Sequence, residues 1–150
     1  QNFSEKTEKE RFEISVGAIL TQNTSWKNVE TTLNKLRDNK ALNKETIKNI
    51  SQEALAKLIR SSGYHNQKAR KLKEFAEFDK EVTRENLLNI WGIGQETADS
   101  ILLYAYNHPI FVIDTYTKRV MLHKSIGKPK WSYEKWQNFF HDNLEKNYKG

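Results

Sequence analysis

The chain has 150 residues, 37% of them hydrophobic and 29% charged, which is enough apolar material for one globular core. Its 25 lysines and arginines outnumber its 19 aspartates and glutamates, and the net charge of +6 favours a polyanionic partner. The absence of cysteine excludes disulfides, thiolate-bound zinc and a cysteine-ligated iron–sulfur cluster within the chain, and no apolar run has the length of a membrane span.

Hydrophobic residues recur at helical spacing along most of the chain. The apolar faces are Phe12, Val16, Ile19 and Leu20; Trp26, Val29, Leu33 and Leu36; Ala54, Leu55, Leu58 and Ile59; Ala69, Leu72, Phe75 and Ala76; and Trp136, Phe139, Phe140 and Leu144. Further helices are predicted over 83–90, 95–107 and 117–124, and Ser132 is a typical N-cap for the last helix. Only residues 110–113 suit a strand, and that run is short and isolated. The sequence therefore predicts an all-α fold.

Two glycines, Gly92 and Gly94, bracket Ile93 between the end of one predicted helix and the start of the next. Glycine permits backbone conformations and close approaches that other residues resist. The first N–H groups of the second helix point out of its N-terminus, toward an anion. Such a helix-hairpin-helix can hold a DNA phosphate without reading the base.

A carboxylate, Asp114, follows the apolar run 110–113, where a charge is unusual. Together with a phosphate-binding hairpin, it suggests chemistry on DNA. From the residues alone, the more ordinary role of Asp114 is to cap the helix predicted to begin near Thr117, because aspartate is a favoured N-cap.

Four segments carry a family resemblance: residues 17–24 (GAILTQNT), 62–69 (SGYHNQKA), 91–99 (WGIGQETAD) and 112–120 (VIDTYTKRV). With these four segments in this order, the chain resembles the helix-hairpin-helix (HhH-GPD) DNA glycosylases related to endonuclease III. It is most similar to their iron–sulfur-free 3-methyladenine branch. The resemblance implies one all-α HhH-GPD core over residues 1–150 with a single helix-hairpin-helix. DNA would lie across the hairpin, with the target nucleotide turned into a pocket beside Asp114.

The resemblance assigns the catalytic role to Asp114. Cleavage of the bond between base and deoxyribose leaves positive charge on the sugar, which a carboxylate can stabilise while it orients or deprotonates a water. Gln22 matches the residue that enters the duplex beside the flipped nucleotide, although a polar helix-end role is the alternative. The residues expected to bind DNA are Gln22, Gly92, Ile93, Gly94, Thr97, Asn66 and Lys68, with Arg70 as a further candidate for phosphate contact.

Trp26 and Glu96 are assigned to the base pocket. An aromatic ring at position 26 can stack on an electron-poor alkylated purine, but Trp26 also continues an apolar helix face and could belong to the core. Glu96 stands where strand-cutting relatives carry a lysine whose amine forms a Schiff base with the sugar. A glutamate cannot form an imine, so we expect base release without efficient lyase activity. Lys118 is the nearest substitute amine in sequence.

The polar stretch 4–11 (SEKTEKER) departs from the similar 3-methyladenine enzymes, which carry a Trp-Trp-Pro-type segment there. The expected partner is double-stranded DNA with a damaged base, and we expect a cytoplasmic, nucleoid-associated monomer of bacterial or archaeal origin with no membrane contact. No metal or other cofactor is expected, apart from a monovalent cation at the hairpin. The alternatives are an endonuclease III-like glycosylase with lyase activity on pyrimidines, and a non-catalytic DNA-binding module.

Overall fold

The computed structural model describes residues 5–110, 112–113, 122–124, 127–128 and 130–148. Its helices are α1 (Glu8–Leu20), α2 (Trp26–Asp38), α3 (Lys44–Asn49), α4 (Gln52–Leu58), α5 (His65–Ala76), α6 (Arg84–Leu88), α7 (Gln95–Ser100) and α8 (Tyr133–Tyr148). A 3₁₀ turn at Arg60–Ser62 precedes α5, and α7 continues into a wider π-helical segment at Ile101–Ala105. No strand occurs among the described residues, so the all-α prediction is confirmed.

Side-chain caps explain where most of these helices begin. Each of the following N-cap residues accepts a hydrogen bond from the backbone N–H three positions on: Thr7, Ser25, Asn43, Ser51 and Thr83. Thr7 also forms a capping box with Glu10. Such caps satisfy N–H groups that have no partner within the helix. They fix where α1, α2, α3, α4 and α6 begin.

The chain divides into two compact units, Gln1–His108 and Pro109–Gly150. In the first unit, α1 packs against α5, α7 and the π-helical segment. Its fully buried residues include Val16, Leu20, Val29, Leu36, Leu55, Leu72 and Ile101. Burial of one such side chain contributes about 1.5–3 kcal/mol. This packing brings the C-terminal end of α1 to the hairpin between α6 and α7.

The second unit has an aromatic core on α8. Trp136 is fully buried and packs with Ile113 and Phe140. Gly127 has φ +79°, and a Cβ there would lie 2.3 Å from the Trp136 ring, so the close approach requires glycine. Ser132 accepts a hydrogen bond from the backbone N–H of Lys135, as expected of the predicted cap.

One helix was missed by the sequence analysis. Helix α3 has six residues and buries only Ile47, so its apolar periodicity is too short to detect. Its detectable signal is Asn43, which caps it. The helix predicted over 117–124 lies outside the described residues except at 122–124. Within the part of the chain that is described, no helix is both long and apolar enough to cross a membrane.

Candidate functional site

The hairpin joins α6 to α7 through Gly92 and Gly94, as predicted from the sequence. Gly92 has φ +79°, a left-handed conformation that favours glycine. Ile93 is buried and donates its N–H to the carbonyl of Ile90, so the apolar side chain anchors the turn to the core. Gly94 is extended, with φ −89° and ψ −178°, and occupies the N-cap position of α7 without a side-chain cap. The turn therefore leaves the start of α7 unobstructed.

The surroundings of the two glycines differ. A Cβ on Gly92 would lie 2.6 Å from Cγ and 2.9 Å from Cε of Lys71, whose stem covers the turn. A Cβ on Gly94 would meet no atom within 4 Å. Gly92 is thus required by backbone conformation and close packing. At Gly94, the structure leaves open space in front of α7.

Gln22 lies at the hairpin rather than pointing away from the end of α1. Its Nε2 donates to Oγ1 of Thr97 at 2.6 Å, and its Oε1 accepts from Nζ of Lys71 at 2.9 Å. Thr97, in α7, is only 3% exposed. The structure therefore brings together two predicted residues, Gln22 and Thr97, and adds Lys71. No local pattern points to Lys71, because an isolated lysine on a helix is usually solvated.

Lys68, the lysine expected to contact phosphate, points into the protein instead. It is 1% exposed, and its Nζ donates to the carbonyls of Leu20 at 2.8 Å and Ser62 at 2.7 Å. Burial, and secondarily the charge of Lys71, lower the pKa of Lys68 to about 8. The prediction of a phosphate contact at Lys68 is therefore wrong, because its amine is turned inward. Instead, it ties the end of α1 to the turn before α5.

Asn66, predicted to bind DNA, lies inside α5. Helix α5 begins at His65, and the N-cap position is held by Tyr64 without a side-chain cap bond. Tyr64 is left-handed, with φ 47° and ψ 39°, and its ring is exposed. Asn66 lies exposed in the first turn of α5, and its contact with DNA stays a prediction.

A cation stacks on the tryptophan that precedes the hairpin glycines. The guanidinium carbon of Arg70 lies 3.7 Å from the ring centroid of Trp91, within the range of a cation–π interaction. Both side chains are exposed, and Arg70 also lies 3.9 Å from the carboxylate of Glu74. Arg70 therefore adds a positive charge beside the turn.

An ion pair fixes the two helices of the hairpin to each other. Arg84, at the start of α6, donates to both carboxylate oxygens of Asp99 in α7, at 2.8 and 3.3 Å. Asp99 is fully buried, so this pair joins α6 to α7 inside the protein. No motif in the sequence points to either residue.

Trp26 is 58% exposed at the first position of α2, whose buried face is formed by Val29, Thr32 and Leu36. The alternative that placed Trp26 in the core is therefore wrong, and its pocket role stays a prediction. Glu96 is exposed in the first turn of α7. Asp114 lies outside the described residues, and its role likewise stays a prediction. Among the described residues, no group of three or more histidines, aspartates or glutamates is placed to hold a metal ion.

A family model and individual relatives both point to the same protein family. Residues 16–146 match the model of the HhH-GPD superfamily of base excision DNA repair proteins. A Methanocaldococcus jannaschii protein, provisionally described as a DNA repair glycosylase, is 43% identical over 91% of this chain and 69% of its own length. Endonuclease III of Thermotoga maritima is 28% identical, and the match covers 75% of this chain and 56% of that protein.

Solved structures of proteins from the same family have a similar fold. The H. pylori 3-methyladenine DNA glycosylase MagIII, bound to 1,N6-ethenoadenine, is 35% identical with a TM-score of 0.82, over 92% of this chain and 71% of that one. An endonuclease III–DNA complex at 21% identity and a TM-score of 0.77 shares the fold. The chain therefore belongs to the HhH-GPD superfamily of base excision DNA repair proteins, the family that includes these DNA glycosylases.

Proposed function

We propose that this protein binds double-stranded DNA across the hairpin and hydrolyses the N-glycosidic bond of a damaged base without cutting the strand. The observation that carries the proposal is the meeting of Gln22 with Thr97 and Lys71 at the hairpin. It places the side chain proposed to enter the duplex beside the turn proposed to hold the backbone. Both actions can then take place on one stretch of DNA.

The backbone contact is proposed for the start of α7. Its first N–H groups point out of the helix N-terminus, and no side chain caps them at Gly94. The partial positive charge there favours a phosphate oxygen. Arg70, exposed on Trp91, adds a cation near the same turn.

The chemical step is proposed for Asp114. As the bond from the sugar to the base nitrogen breaks, its electron pair leaves with the base and positive charge develops on the sugar. The carboxylate would stabilise this charge and accept the proton of the attacking water, whose oxygen bonds to the anomeric carbon. An N-alkylated purine carries a positive charge before cleavage and leaves as a neutral base. The reaction proposed here draws on no cofactor.

The substrate proposed is an alkylated purine such as 3-methyladenine. The similar MagIII enzyme is named for 3-methyladenine and was solved with 1,N6-ethenoadenine, a modified purine. In this chain the exposed ring of Trp26 follows Gln22 by four residues, across the turn between α1 and α2. An exposed indole can stack on a flat, electron-poor base.

Borohydride reduction tests whether the strand is left uncut. A lyase forms an imine between an amine and the sugar, and reduction traps it as a covalent adduct. Because Glu96 replaces the lysine of strand-cutting relatives, we expect no adduct with lesion-containing DNA. Strand breaks should appear only after alkali treatment. An endonuclease III-like lyase serves as the positive control, and a strong adduct with this protein would overturn the monofunctional assignment.

A further inference from the structure

Lys71 meets two parts of the proposed DNA site at once. Its stem lies over Gly92 of the hairpin, and its Nζ donates to Oε1 of Gln22 at 2.9 Å. The other end of the Gln22 amide donates to Thr97 at 2.6 Å. Helices α5 and α7 thereby both bond to one amide group, which is carried just beyond the end of α1.

This arrangement fixes which way the amide faces. A lysine ammonium has donors and no acceptor, so it can bond only to the oxygen of Gln22. The nitrogen must then face Thr97, whose hydroxyl accepts. An amide offers two acceptor positions on oxygen and two N–H donors. One of each is used, which leaves one acceptor and one donor in a fixed order.

We propose that Lys71 is a positioning residue that locks the Gln22 amide and thereby sets its preference for the base opposite the lesion. The inference rests on the proposed function, in which Gln22 enters the duplex beside the flipped nucleotide and so meets the base left without a partner. Adenine and cytosine present an exocyclic N–H donor beside a ring nitrogen acceptor. Guanine and thymine present a carbonyl acceptor beside a ring N–H donor. A locked amide can form hydrogen bonds with only one of these donor–acceptor arrangements. A free amide can rotate by 180° and bond to either.

Duplexes with a tetrahydrofuran abasic analogue opposite each of the four bases test this inference without requiring base release. For the wild type, we expect the Kd values of the two duplexes with adenine or cytosine to differ about tenfold from those of the two duplexes with guanine or thymine. This is the scale of bidentate base recognition. In Lys71→Met, whose unbranched chain still covers Gly92, the ratio between the two classes should fall to about one. Lys71→Arg keeps donors at this position and should retain most of the ratio.

Two further variants separate positioning from charge. Lys57→Met removes one positive charge from an exposed site on α4, so it should weaken binding to all four duplexes equally. In a Gln22→Ala background, Lys71→Met should change binding no more than Lys57→Met does, because the amide to be positioned is gone. Thermal unfolding of each variant checks that the fold is kept.

The outcomes distinguish this inference from the proposed function. Tight binding with no class difference in the wild type, or a class difference that survives in Lys71→Met, overturns the role of Lys71 and leaves the glycosylase proposal standing. Absence of any binding to the abasic duplexes overturns both. A class difference that is lost in Lys71→Met and kept in Lys71→Arg supports the inference.

Discussion

Replacing Asp114 with asparagine is expected to reduce base release by about a thousandfold, the scale of losing a charge-stabilising group together with a general base. Asparagine has nearly the shape of aspartate, but its neutral amide can neither balance a developing positive charge nor accept a proton from water. Affinity for undamaged DNA should rise slightly or stay unchanged, because a negative charge near the phosphates has been removed. Single-turnover release of free base, with enzyme in excess, measures the chemical step directly.

A matched control for this prediction is Asp79→Asn, which makes the same chemical change at an exposed loop position of the first unit. Its release rate should stay within about twofold of the wild type, as expected for a surface substitution that breaks no contact. If Asp114→Asn retains a rate comparable to that of Asp79→Asn, Asp114 is not the catalyst. Capping of the following helix would then be its role.

Replacing Gly94 with aspartate is expected to change folding and DNA binding in opposite directions. Aspartate is a favoured N-cap, and the extended backbone and open space at Gly94 accept a side chain, so stability should be unchanged or rise by a few tenths of a kcal/mol. The new carboxylate would occupy the start of α7 and repel phosphate. We expect Kd for DNA to rise by about a hundredfold, with the largest loss at low salt.

Two substitutions sharpen the Gly94 result. Gly94→Asn places a neutral cap of similar size there, so the difference between the two variants isolates the charge. Gly92→Val should lower both stability and DNA binding, because its left-handed backbone resists a β-branched residue and its Cβ would collide with Lys71. If Gly94→Asp binds DNA as tightly as the wild type does, the hairpin does not contact the phosphate.

Local chemistry made several features predictable. The glycine turn, the all-α pattern and the Ser132 cap follow from backbone conformation, periodicity and capping, which depend on a few adjacent residues. The meeting of Gln22 with Thr97 depends on how α1 packs against α7. That contact joins residues 75 positions apart, and the family resemblance rather than local periodicity assigned both to DNA binding.

The lysines show where sequence reasoning failed. Lys68 and Lys71 lie three positions apart on one helix, yet the first is buried on two carbonyls and the second reaches Gln22. No local pattern distinguishes a buried lysine from a solvated one, because the difference lies in carbonyls contributed by other elements. The exposure of Trp26 was likewise undetermined, since a helix face continues only while a neighbouring element covers it.

The central claim, hydrolytic excision of a damaged base, is tested most directly by identifying the product released from damaged DNA. The wild-type protein is incubated with methylated DNA and with duplexes carrying hypoxanthine, 1,N6-ethenoadenine, thymine glycol, or uracil or thymine opposite guanine. Chromatography then identifies the free bases, and a denaturing gel reports strand breaks. We expect 3-methyladenine to be released while the strand remains intact until alkali is added. Salt-sensitive binding with no base released from any substrate would contradict the account.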